Sequence, residues 1–269
     1  MAVTRREFIF GAFLSSVVCV VLISTSIASD NWVTALATHN SSIQAADSKI
    51  NYGLFRGELE LNIVLTPTYH TLYLTCVFDE GACAVSCKTN PEARKEEVLA
   101  LANRRRPITT CVSVTTVDSS PLLDEAPIIP SALYVCVCLF VFLHLVGAAV
   151  GAGLAVTNAA RSPTEPACGL PGCLWANVVT GCLGVLVMMM FGIFYATTLQ
   201  RHLAFSLIAT GTYVPRPSLG YSYWCLFGSI LCSALNVALL ETRKYLLERD
   251  PPPPTIKVEN HSDGTIFLY

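Results

Sequence analysis

Four apolar runs interrupt this chain, at 8–28, 131–156, 173–199 and 220–240. Each is about twenty residues or longer, enough for a helix to cross some 30 Å of hydrocarbon. Helix is the required state there, because its backbone groups satisfy one another where no water can. The pattern predicts a membrane α-helical protein built as a four-transmembrane-helix bundle. The rest divides into a short N-terminus (1–7), a long first loop (29–130), a connection (157–172), a second loop (200–219) and a tail (241–269). With 53% hydrophobic and 13% charged residues, the chain carries about half the charge of an average soluble domain. Arg104-Arg105-Arg106 is the one cationic triplet and stands alone, so nucleic acid is not an expected partner; membrane lipids are.

Short flanking segments set orientation. Arg5 and Arg6 precede the first span, Arg161 lies between the second and third, and Arg243, Lys244 and Arg249 follow the fourth. The positive-inside rule then places both termini and the 157–172 connection in the cytoplasm, with loops one and two outside. Arg201 and Arg216 in the second loop weaken the bias. Asn40-Ser41-Ser42 is a glycosylation sequon in the first loop, consistent with an outside location for Asn40. Arg5-Arg6 ahead of an apolar stretch also resembles a secretory or twin-arginine signal. The length of the run and the three later spans favour a retained helix.

The first loop reads as a small β-rich domain. Leu59, Leu61, Ile63 and Leu65 alternate with polar residues, and residues 69–78 form a second strand rich in β-formers. Asn90-Pro91-Glu92 signals a helix start, with Pro107 as its stop, and 108–117 is a third strand candidate. Four cysteines fall here: Cys76, Cys83, Cys87 and Cys111. Outside the cell they are disulfide candidates, with three complete pairings open. Cys83 and Cys87 have a metal-ligand spacing, yet no second pair follows, so a staple is favoured over zinc. The other eight cysteines lie in or beside the spans as packing residues; Cys19, Cys168 and Cys173 are possible acylation sites.

Spans two to four contain no Asp, Glu, Lys or Arg, which argues against an ion path or proton relay. His144, Asn177 and Asn236 are expected to make interhelical hydrogen bonds. Gly147 and Gly151 offer a close-approach face for helix packing, or alternatively for self-association. Walker, GxSxG and HExxH motifs are absent, so neither catalysis nor a cofactor or metal is expected. The tail contains a four-proline stretch (251–254) and ends Ile266-Phe267-Leu268-Tyr269. Phe267, Leu268 and Tyr269 with the free carboxylate fit strand addition into a PDZ groove.

Several of these segments are similar to one family. Asn51-Tyr52-Gly53-Leu54-Phe55-Arg56-Gly57-Glu58 resembles the Tyr-Gly-Leu-Phe-His-Gly-Glu stretch of the clarins. Trp32 follows span one as theirs does, and the Asn40 sequon precedes the motif. Residues 181–188 and Gly211-Thr212-Tyr213-Val214 match further stretches. Trp32, Gly53-Leu54-Phe55 and the loop cysteines also look like a variant of the claudin signature, with Phe55 in place of its last Trp. The resemblance implies a claudin-like, left-handed four-helix bundle bearing a small extracellular β-sheet. It further implies a plasma-membrane, non-enzymatic organiser of sensory-cell membranes, as in hearing, with links to actin, PDZ scaffolds and an unidentified outside partner. Barrier or adhesion protein and ion-channel auxiliary subunit are the alternatives within that superfamily. The first loop is longer than in the better-known members by about residues 65–120.

Overall fold

The computed structural model describes residues 2–39, 48–62, 67–105, 126, 128–160, 167–200, 206–207 and 211–249. Helix α1 spans Ala2–Ala28. Strands β1 (Val33–His39), β2 (Ser48–Tyr52), β3 (Arg56–Leu61), β4 (Thr68–Val77) and β5 (Ala82–Ser86) follow. Helix α2 is Pro91–Ala102, β6 is Ile129–Pro130 and α3 is Ser131–Ala160. Helix α4, Leu170–Phe194, continues through a π-helical turn, Tyr195–Leu199. Strands β7 (Ser206–Leu207) and β8 (Gly211–Leu219) lead into α5, Tyr221–Arg249.

Helices α1, α3, α4 and α5 are long and apolar enough to cross a membrane, and the protein is a multi-pass helical bundle. Around the bundle α1 touches α3 and α5, and α4 touches the same two. Each helix extends past its apolar run at one end: α1 starts at Ala2, α3 reaches Ala160, α4 starts at Leu170 and α5 ends at Arg249. Apolarity marks the buried length, whereas the hydrogen-bond ladder of a helix continues into water. The 29 residues of α5 make about 43 Å of helix at 1.5 Å per residue. Exposed Trp224 and Tyr245 on α5 lie about 32 Å apart on the same count and bracket a hydrocarbon layer as interfacial aromatics do.

The described strands form one curled antiparallel sheet in the order β6-β5-β4-β3-β2-β1-β8-β7. It stands at the end of the bundle where α1 and α4 finish and α3 and α5 begin. Two expectations need correction. The first loop does not build its sheet alone, because β8 from the second loop pairs along the whole of β1, from Val33↔Leu219 to His39↔Tyr213. Pro215 and Pro217 had disguised β8 as a loop. Proline is tolerated in a strand where its missing N–H faces an unpaired edge, and among the described residues β7 pairs only with residues 211 and 212. Helix α2 also ends earlier than Pro107, at Ala102, where Asn103 donates both its backbone N–H and its side-chain Nδ2 to the Leu99 carbonyl. Arg104 then takes a positive φ of 57°, which no continuing helix permits. The helix start is as read: Asn90 Oδ1 accepts from the Glu92 N–H at 3.0 Å. The 108–117 strand candidate lies outside the described residues.

Alternation decides the two sheet faces. Val33, Ala35, Ile50, Tyr52, Leu59 and Leu72 point inward with Trp32 and pack on Val137, Val141, Val187, Phe191 and Leu226 of the helices. At β4–β5 the sheet is covered on its other side too, where Ala82 and Ala84 meet Val98 and Leu101 of α2. The strand pattern of residues 69–78 has no single polar face for this reason.

Candidate functional site: the junction of sheet and bundle

Trp32 is fully buried where the chain leaves α1 and enters β1. Its indole N–H donates to the Ser26 carbonyl at 2.7 Å, satisfying the one polar atom of a large apolar side chain. Its ring meets Phe191 of α4 edge-on, with centroids 4.6 Å apart, and Phe191 in turn contacts Phe194 and Tyr223. The Trp32 backbone N–H donates to the Tyr52 carbonyl, and its own carbonyl accepts from Gly220 N–H. One residue thus joins the end of α1, the β2 strand, the start of α5 and the side of α4.

The Gly53-Leu54-Phe55 turn sits against this point. A Cβ on Gly53 would fall 2.7 Å from the Ser29 carbonyl oxygen and 2.9 Å from the Asp30 Cα, so only glycine lets the β2–β3 turn approach the end of α1. Leu54 is buried and Phe55 is exposed. Phe55 therefore contributes to the outer surface rather than to the core. Arg56 pairs with Asp30 at 3.5 Å, an exposed contact worth little by itself.

Cys76 and Cys83 face each other in the β4–β5 register and form a disulfide. Cys87 is disulfide-bonded as well; Cys111 lies outside the described residues. Disulfide bonding of Cys83 and Cys87 removes the metal-ligand reading of their spacing, since bridged sulfurs are not thiolates. Among the described residues no group of His, Cys, Asp and Glu is placed to hold a metal.

Helix α2 carries a feature the sequence concealed. Glu97 is buried, and its carboxylate accepts a hydrogen bond from Ser86 Oγ on β5. Burial holds the carboxyl above its ordinary pKa, opposed by the Ser86 hydrogen bond and by Lys88. Nearby, Arg94 lies 4.6 Å over the Tyr73 ring and donates to the Lys88 and Thr89 carbonyls. A raised folded-state pKa means that the folded protein holds the proton longer than the unfolded chain. The Glu97 contribution is fully present below the unfolded carboxyl pKa and is lost as pH rises through the folded value. Glu97→Gln keeps a hydrogen-bonding partner for Ser86 and cannot ionise. Thermal unfolding of purified protein between pH 4 and 8 should therefore decline less with rising pH in Glu97→Gln than in wild type; parallel curves would refute this assignment.

Inside the bundle, polar side chains pair between helices. His144 Nε2 and Ser229 Oγ are 3.1 Å apart. Asn236 Nδ2 donates to Asn177 Oδ1 at 2.8 Å and to Ser16 Oγ at 2.9 Å, tying α5 to α4 and α1. Gly147 and Gly151 face inward: a Cβ on Gly147 would lie 2.6 Å from Thr180 Oγ1, and one on Gly151 would lie 3.5 Å from Asn177. That face is occupied by α4 and is not open for self-association. Cys19 and Cys173 are buried in the bundle, out of reach of acylation, whereas Cys168 is exposed.

Away from α2 the outer sheet face is polar with isolated apolar residues. Register aligns Arg216, Leu36, Lys49, Glu60 and Tyr69 across five strands. Asn40, Phe267, Leu268 and Tyr269 lie outside the described residues. No family model matches this chain, and none of the curated proteins matches it.

Proposed function

We propose that this protein is a non-enzymatic four-span membrane scaffold of clarin type, with a claudin-like bundle and sheet. The carrying observation is convergence at the junction. Trp32, Gly53 and Leu54, far from the second loop in sequence, meet beside the cross-strand disulfide sheet, and Gly211-Thr212-Tyr213-Val214 belongs to the strand that pairs with β1. These are the segments on which the resemblance rests, and their packing into one structural unit supports it. On this reading the protein resides in the plasma membrane with both termini cytoplasmic and Asn40 outside. The sheet's outer face engages a membrane or extracellular protein, and the Phe267-Leu268-Tyr269 end recruits PDZ scaffolds linked to actin. The buried polar pairs of the bundle, joined helix to helix, suit a support rather than a conduit.

The tail supplies the test. A PDZ groove reads a terminal carboxylate and the side chains just before it. Full-length protein should capture PDZ scaffolds from native-cell membranes, and one residue appended after Tyr269 should lower capture by about tenfold or more, equivalent to about 1.4 kcal/mol. Equal capture by the extended chain would sink the scaffold reading at this end.

A further inference from the structure

The turn between β4 and β5, residues 78–81, is fastened to the start of α3. Gly81 N–H donates to the Phe78 carbonyl at 3.0 Å and closes the turn, and the Gly81 carbonyl accepts from Ser131 N–H at 2.9 Å. Beside it, Ala82 and Cys83 pair with Pro130 and Ile129, the two residues ahead of α3. The turn therefore stands level with the first residue of a membrane span. Protein does not cover it. Phe78 is 68% exposed, and a Cβ on Gly81 would meet nothing within 4 Å.

The length of α3 gives the depth. Val135 and Val156 are exposed apolar residues toward its two ends. They lie about 32 Å apart at 1.5 Å per residue, the thickness of a hydrocarbon core. Ser131 stands one turn above Val135, about 6 Å. A headgroup layer is about 5–7 Å deep on each side of the core, so the turn sits among headgroups. Asp79 and Glu80, exposed at its tip, keep there the hydration that hydrocarbon would deny them.

Helix α2 brings cations to the same end of the hairpin. Tyr73 and Ser86 pair at the far end of the β4–β5 ladder, and Val77 and Ala82 pair at the turn. Near its start α2 places Arg94 over Tyr73 and Glu97 against Ser86. Near its end Leu101 and Ala102 gather with Ala82 and Val77. Arg104 and Arg105 follow, held to the last turn of α2 by their N–H bonds to the Leu101 and Ala100 carbonyls. Both are exposed, and among the described residues neither forms an ion pair.

A guanidinium matches phosphate oxygens with paired N–H donors. Aromatic and basic side chains together are the composition of segments that lie in a membrane interface. The acidic tip repels an anionic surface and suits a zwitterionic headgroup, whose ammonium attracts carboxylates. We propose that the turn end of the β4–β5 hairpin, with the end of α2, is a docking surface for zwitterionic phospholipid headgroups of the adjoining leaflet. Phe78 enters the boundary between headgroups and chains, Arg104 and Arg105 hold phosphates, and Asp79 and Glu80 face the ammonium. The sheet then has a second support, on lipid, besides its packing on the bundle. This holds whichever side of the membrane the sheet faces, because it depends only on α3 crossing.

Photocrosslinking of the full-length protein tests this. Phe78→p-benzoylphenylalanine in phosphatidylcholine nanodiscs should yield a peptide heavier by one phospholipid. The yield should be about tenfold lower for Tyr69→p-benzoylphenylalanine, which stands about 30 Å back along β4 and clear of the headgroups. Both positions are exposed, so neither substitution disturbs packing. Equal lipid adducts at the two positions would overturn the proposal, as would an adduct to a second copy of the chain in place of lipid. Headgroup recognition is read in maltoside micelles with limiting phosphatidylcholine. There Arg104→Asn with Arg105→Gln should lower the adduct at position 78 about tenfold, Asn being chosen because it tolerates the positive φ at 104. Diacylglycerol, which lacks the phosphate, should not compete. If the double variant loses its monodisperse gel-filtration peak, Arg105→Gln alone should lower the adduct about threefold. Undiminished adducts in a folded arginine variant, or equal competition by diacylglycerol, would refute the headgroup assignment.

Discussion

Trp32→Ala should cost about 3–5 kcal/mol, the range for removing a large buried aromatic. The side chain is fully buried and supplies an edge-on ring contact to Phe191 and the N–H that satisfies the Ser26 carbonyl. Truncation leaves a void at the meeting point of sheet, α1, α4 and α5, and a buried acceptor without its donor. The expected result is a large drop in unfolding temperature of the purified protein, or failure to yield a monodisperse peak. Trp32→Phe should fall between, because the ring contact survives while the hydrogen bond does not. A Trp32→Ala protein as stable as wild type would mean that the sheet does not depend on the bundle for its position.

Gly184→Val should be the most damaging small change within the membrane. A Cβ at Gly184 would land on the His144 ring of α3 and lie 2.8 Å from Ile230 Cγ1 of α5. His144 is completely buried and already paired with Ser229, so it has no free space into which to swing. Overpacking a close-packed interior costs about 1–3 kcal/mol and sometimes more. Here the added methyls also part α4 from α3 and loosen the His144–Ser229 contact. Gly153→Val on the same bundle is the control: a Cβ there meets nothing within 4 Å, and stability should change by less than about 0.5 kcal/mol. Similar melting losses for the two variants would show that α3–α4 packing is looser than the structure describes.

The bundle was legible because the bilayer imposes one rule on every span: about twenty apolar residues with internally satisfied backbone. Strands β3 (Arg56–Leu61) and β4 (Thr68–Val77) were legible from alternation read at residues 58–65, of which 63–65 lie outside the described residues, and at 69–78, and α2 from its Asn90 cap. Three features were not. Strand β8 carries two prolines and is stable only because β1 pairs with its other edge. Glu97 reads as one more surface charge in a polar helix, and only the packing of α2 on β5 buries it. Gly184 reads as an ordinary small residue in an apolar run until His144, forty residues away, is placed beneath it.

From composition and periodicity alone, the chain is committed to four membrane helices, a β-forming first loop and spans without acidic or basic side chains. These are local properties, set by each segment's exchange with water or lipid. Tertiary structure alone decided that the sheet draws a strand from each loop, that the Gly147 and Gly151 face is spent on α4, and that Trp32, Gly53 and Leu54 share one site. Those outcomes depend on contacts between residues far apart in the chain, whose free energy appears only once both partners have been brought together.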